Sequence, residues 1–228
     1  MADRYPQLRK KVIEVLKSAE AQKINFYFAG QNFGPSGWSF ASHVVLLGQT
    51  PGRGVQIGVA QQGAGVEASY NFVDNALSFP RSDYGFDENQ IFERSSIVHE
   101  CVHVCVDGQA TAPTPGARFR FGVNALNNEI AAYIAGHLYM IYEAEAVEQR
   151  QLKRDGISVT VTVNTPPNKK SIHACARIVA QKLRDKPGAT VPDDADLANL
   201  RAAILASTSY ADLKQDPNKI DGSPGIRL

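Results

Sequence analysis

The segment Ile97-Val98-His99-Glu100-Cys101-Val102-His103-Val104-Cys105 constrains this chain more than any other. A helix drawn through it is apolar on most of its circumference, and such a helix has to be buried. Its polar residues fall on one stripe at i, i+4 spacing: Ser95, His99, His103 and Asp107. Two imidazoles and the adjoining Glu100 in a buried helix need partners, because an unpaired buried polar group costs several kcal/mol. A divalent cation in an internal cleft would satisfy all three at once. Hydrogen bonds from the histidines to backbone are the plainer alternative.

The spacing H-E-x-x-H suits zinc. Imidazoles one helical turn apart can both reach one ion at about 2.0–2.1 Å, leaving room for a third ligand and a water. Glu100 then stands beside the ion without ligating it, placed to take a proton from water and pass it to a leaving group. Three residues compete as third ligand. Asp107 lies eight residues past His99, about 12 Å along a straight helix and out of reach of the same ion. His137 would make a three-histidine site, but the chain lacks the glycine that would turn it sharply after His103. Glu129 is favoured: it comes 26 residues after His103, near the start of a second predicted helix, where two packed helices return the chain to the ion. Ala131, Ala132, Ala135 and Gly136 would let those helices approach closely. Tyr133, one turn past Glu129, is a candidate donor to a developing oxyanion, or simply a half-buried aromatic. Asp107 is a candidate to orient His103 through its ring N–H, or else part of a helix stop at Asp107-Gly108. His137 reads as a surface or supporting histidine, and His43 and His173 as structural.

The periodicities predict an α+β fold, with a mostly antiparallel sheet beside helices. Helices are expected over about 6–22, 90–107, 124–150, 169–185 and 193–206. β-prone runs at Ile24–Phe28, His43–Leu47, Val55–Ala60 and Val66–Val73 are expected to form one sheet, separated by glycine-rich breaks. Asn75–Phe79, stopped by Pro80, suits an edge strand, and 156–164 is a further strand candidate. Residues 1–150 would hold the site, with 151–228 an α-rich extension packed on the same domain and a polar tail from Tyr210.

Of the 228 residues 43% are hydrophobic and 21% charged, the balance of a globular chain with a real core. A net charge of +1 gives no electrostatic footprint for nucleic acid or an anionic membrane. No run approaches the roughly 20 apolar residues of a membrane span, and no signal-peptide core follows the basic N-terminus. Three cysteines, two of them a helical turn apart, favour reduced thiols. The cytoplasm is the expected compartment, with signal-less export as the other route.

With these residues in place, the chain resembles the zincin metallopeptidases, and within them the branch with a glutamate as third ligand. The likeness rests on His99-Glu100-x-x-His103 followed by Asn128-Glu129 on a downstream helix, and spans roughly residues 70 to 145. It implies a zincin-like fold, Zn²⁺ on His99, His103 and Glu129, Glu100 as general base, and a protein or peptide substrate. It also implies that the strand ahead of the first helix, through Asn75, Leu77 and Phe79, pairs with extended substrate by β-augmentation. Ala132-Tyr133 stand where thermolysin-like enzymes carry an acidic residue. A zincin-like module that binds without catalysis, and a zinc hydrolase of a non-peptide amide or ester, are the alternatives.

Overall fold

Local signals at the N-terminus act as written in the sequence. Pro6 opens α1 (Pro6–Lys17), which buries Leu8, Val12, Val15 and Leu16. The expected single helix over 6–22 is broken at Ser18. That residue turns extended, and its side chain accepts from the Ala21 N–H to start α2 (Ala19–Lys23). The computed structural model describes residues 3–61, 67–87, 89–109, 123–156, 158–163, 170–221 and 226.

After β1 (Phe26–Phe28) and β2 (Gln31–Phe33), the chain forms α3 (Pro35–Leu47). The expected strand at His43–Leu47 is therefore the last turns of a helix. A four-residue apolar run reads the same in either state. The deciding residues lie upstream: Pro35 in the first turn, and Trp38, Ala41, Val44 and Val45 buried at helical spacing. Buried Arg9 closes the far end of this helix. It donates to the carbonyls of Val45, Gly48 and Val55 and pairs with Asp3 at 2.6 Å, satisfying carbonyls that the helix end leaves orphaned.

Next come β3 (Gln56–Val59), β4 (Ser69–Asn71) and β5 (Ala76–Phe79). The expected single, mostly antiparallel sheet is instead a set of small ones, two of them mixed. One has the order β3-β5-β4, parallel between β3 and β5 and antiparallel between β4 and β5. The other places β1 between β2 and β7 (Ala189–Thr190), antiparallel on one side and parallel on the other. A third ladder pairs β6 (Val123–Asn124) with β8 (Ile220–Asp221). The strand expected at the edge is thus the centre of its sheet, with neighbours on both sides. Pro80 lies just beyond the ladder, where no N–H is required. The run 156–164 forms no strand among its described residues: the Val161 N–H goes to the Glu148 side chain at 2.8 Å.

Two long helices position the candidate site. α4 (Ile91–Gln109) carries Glu93 in its first turn, where the helix dipole favours negative charge. α5 (Ala125–Asp155) starts on Asn124, whose side chain accepts from the Asn127 N–H at 2.9 Å. It ends on Gly156, in the left-handed conformation at φ 67°. The helices run antiparallel, Ser95 of α4 facing Gly136 of α5 and His103 facing Glu129. Buried Ala131, Ala132 and Ala135 line the second helix. α6 (Lys170–Leu183) and α7 (Ala195–Ala206) follow, then a single 3-10 turn (Thr208–Tyr210) and α8 (Ala211–Gln215). Ile172, Val179, Leu200 and Ile204 from this C-terminal region join one apolar cluster with Val12, Trp38, Val98 and Ile134. Among the described residues, no helix is long and apolar enough to cross a membrane.

Candidate metal centre

Antiparallel packing of α4 on α5 brings together residues far apart in the chain. His99 and His103 project from successive turns of α4, and Glu129 meets them from the second turn of α5. The Glu129 carboxylate spans the pair: Oε2 is 3.5 Å from His99 Nε2 and Oε1 is 3.6 Å from His103 Nε2. Each of the three residues offers a ligand atom, and all lie within 4.8 Å of one another. Ligands about 2.0–2.2 Å from a tetrahedral ion sit roughly 3.3–3.6 Å apart, and each imidazole nitrogen lies at about that distance from one of the two Glu129 oxygens. Among the described residues Glu129 Oε2 is buried without a hydrogen-bond partner. A buried carboxylate oxygen in that state needs a cation or a donor. The donor set of two imidazoles and a carboxylate, with an open side, fits zinc.

Glu100 adjoins this group, its Oε1 3.9 Å from His99 Nε2. Burial pushes its carboxyl above the usual range, and the His99 and His103 charges pull it part of the way back. Burial also pushes up Glu129, but the neighbouring His103 and His99 outweigh it and hold the group down to about 2. A cavity of about 50 Å³, lined by Glu100, His99, Ser95, Tyr133 and His173 among others, is large enough for water. A larger cavity of about 380 Å³ shares His137, Met140 and His173 with it and extends along α6 as far as Arg177.

Asp107 is also buried, but its Oδ2 accepts the Tyr70 hydroxyl at 2.6 Å, and Oδ1 has no hydrogen-bond partner among the described residues. The expected bond from the His103 ring is thus replaced by one from the β4 tyrosine. Asn75, Leu77 and Phe79 lie apart from the three ligands. Asn75 turns the chain at φ 49° with its Oδ1 against Tyr70 Oη, a conformation asparagine tolerates. Leu77 and Phe79 are fully buried in the core. An internal strand whose side chains fill the core cannot receive an extended peptide, so these three residues are not a substrate-pairing edge.

His137, read as a surface or supporting histidine, and His173, read as structural, both line the cleft. His137 and His173 are buried and share a hydrogen bond of 3.0 Å between Nε2 and Nδ1. Burial, then the nearby His173 and Arg177, drive His137 well below its usual range, so it stays neutral. Their separation of 36 residues, on two different helices, left no local pattern to read. Tyr210 is the other residue not anticipated: it sits in a polar tail, and only the return of the chain after α7 brings it to Tyr133, hydroxyl to hydroxyl at 2.9 Å. Tyr133 itself is buried, edge-on to His99 with ring centroids 4.7 Å apart. Cys101 and Cys105 are free and buried, and burial pushes the Cys105 thiol up to about 12, so neither offers a thiolate. Comparison with protein-family models, curated proteins and solved structures finds no match to this chain.

Proposed function

We propose that this protein is a zinc-dependent hydrolase of the zincin type, acting on peptide bonds. The observation that carries the reading is the meeting of His99, His103 and Glu129 at ligand spacing, with Glu100 beside them and a water-sized cavity in front. Bound there, zinc would polarise a substrate carbonyl and bring the pKa of a water toward about 7. Glu100 supplies the base. Its carboxylate takes one proton from the attacking water as the C–O bond forms, and delivers it to the amine nitrogen as the C–N bond breaks. The raised carboxyl range of Glu100 suits both halves of that transfer. A site closed by four protein ligands would serve structure alone, whereas three ligands and a free carboxylate suit chemistry. The 380 Å³ cavity beyond His137 and His173 gives room for a substrate side chain.

The test begins with zinc stoichiometry. Hydrolysis is then assayed on a peptide library and on simple amides and esters, with and without a chelator. Glu100→Gln should retain zinc and lose hydrolysis by about 100-fold or more. Full activity in that variant would exclude the mechanism. Bound zinc without chelator-sensitive cleavage of any substrate would point to a binding module, and cleavage confined to esters or simple amides to a non-peptide hydrolase.

A further inference from the structure

We infer that the cavity of about 380 Å³ is a subsite for an acidic side chain of the substrate, with Arg177 as the residue that selects it. The inference rests on the peptide-hydrolase reading above and names the substrate class of that same site. The cavity meets the catalytic one at a wall formed by His137, Met140 and His173. Ala144 of α5 lines one side of it, and Val161 and Val163 another. Hydrocarbon of this kind takes the methylene stem of a side chain and leaves its polar tip to a few placed groups. Arg177 is such a group. It follows His173 by one turn of α6, which sets it about 6 Å further along the helix from the shared wall.

Charge decides what that tip should be. The described lining of the cavity carries no carboxylate, and among the described residues Arg177 makes no ion pair. The acids around α6 are committed elsewhere: Glu145 and Asp185 to Arg184, and Asp194 and Asp196 to Lys182. Glu148 accepts the Val161 N–H at 2.8 Å and so ties the 158–163 wall to α5. That wall is extended chain: Ser158, Thr160 and Thr162 are exposed while Val159, Val161 and Val163 are half-buried, the period of two of a strand. A guanidinium at the end of an apolar pocket, with no counter-charge, meets a planar carboxylate through two parallel N–H donors. A neutral amide in the same place gains only an ordinary hydrogen bond, and an ammonium meets like charge. Aspartate is one methylene shorter than glutamate and reaches less far from the shared wall, so the site favours glutamate.

Cleavage by the full-length, zinc-loaded protein reads this preference. Peptide pools are made random except at one fixed position, which holds Glu, Gln or Lys, and that position is moved along the peptide. At one position wild type should favour Glu over Gln by about 10-fold in kcat/KM. Single peptides should place the difference in KM, because the contact is remote from the reacting atoms. Added salt should shrink it, since Arg177 is exposed. Arg177→Gln should abolish the advantage, Arg177→Lys keep part of it, and Arg177→Glu favour the Lys pool. Exposure of Arg177 means that these variants should melt with wild type, and Ala144→Phe, which fills the cavity from α5, should remove the same preference by a second route. Equal cleavage of the Glu and Gln pools at every position overturns the proposal, as does a Glu preference that survives Arg177→Glu. Binding separates this outcome from failure of the hydrolase reading. Fluorescein-labelled alanine-based peptides with Glu or Gln at their centre are titrated against Glu100→Gln protein and followed by anisotropy. If wild type cleaves no peptide, the hydrolase reading falls; tighter, Arg177-dependent binding of the Glu peptide then still supports the acidic site, and equal binding of the two overturns it.

Discussion

Gly136 is the point at which helix packing and the candidate metal site can be pulled apart. A Cβ built there would lie 3.3 Å from the Ser95 carbonyl oxygen and 3.8 Å from His99 Cβ, both on the facing helix. The first distance is a few tenths of an ångström tighter than ordinary contact. In Gly136→Ala, about 1 kcal/mol of gained helix propensity opposes an overpacking cost of similar size, so stability should stay within about 1 kcal/mol of wild type. Gly136→Val adds two more methyl carbons at the same contact and gains less propensity, for a net loss of about 1–3 kcal/mol. The strain has one outlet, which is to move α4 away from α5. His99 and His103 ride on the first helix and Glu129 on the second, so the 3.5 and 3.6 Å separations open together. Zinc affinity should drop about tenfold or more, equivalent to at least about 1.4 kcal/mol. Urea unfolding of the metal-free protein gives the first quantity and chelator competition the second. A valine variant with an unchanged unfolding midpoint would show that the helices are not in close contact at Gly136. A destabilised variant with intact zinc affinity would show that this contact does not set the ligand spacing.

Two further outcomes concern buried charge. Glu143 accepts the Tyr139 hydroxyl at 2.5 Å and pairs with Arg94 at 3.4 Å, and both members of the ion pair are buried. Glu143→Ala should cost about 3 kcal/mol in urea unfolding, because it removes the carboxylate from a buried guanidinium; a loss under about 1 kcal/mol would mean the Asp87 carbonyl suffices for Arg94. Asp107 is raised by burial from 3.8 to about 6, with the Tyr70 hydrogen bond offsetting part of the rise. A carboxyl raised in the fold favours the folded state most below its unfolded pKa, and that contribution is lost as pH rises through about 6. Metal-free protein should therefore lose up to about 3 kcal/mol between pH 3.8 and 6 from this residue. Asp107→Asn keeps an acceptor for Tyr70 and should flatten that part of the profile, as thermal melts at closely spaced pH values would show. An unaltered slope would remove Asp107 as its source.

The elements readable from the sequence are those whose signals are local and long. α4, α5, α6 and α7 lie where long helices are expected, over about 90–107, 124–150, 169–185 and 193–206, although α5 runs on to Asp155 and the glycine that caps it, Gly156, opens the run expected as a strand. Short segments were not readable, because four or five residues hold too little pattern. His43–Leu47 takes its state from Pro35 and Trp38 upstream. The run 156–164 alternates like a strand and makes no ladder among its described residues, since a strand exists only where another edge accepts its hydrogen bonds.

The same division runs through the candidate site. The sequence alone placed His99 and His103 on one helix face with Glu100 beside them, because i, i+4 spacing fixes that geometry wherever the helix goes, and it singled out Glu129 from helix length and loop return. It could not decide that Asp107 would meet Tyr70, that Leu77 and Phe79 would fill the core, or that Tyr210 would arrive beside Tyr133. Those contacts join residues separated by 37 positions in one case and 77 in another. Nothing local encodes them. They exist because α4, α5 and the chain after α7 close around one apolar core, and the packing of that core selects which distant polar groups meet.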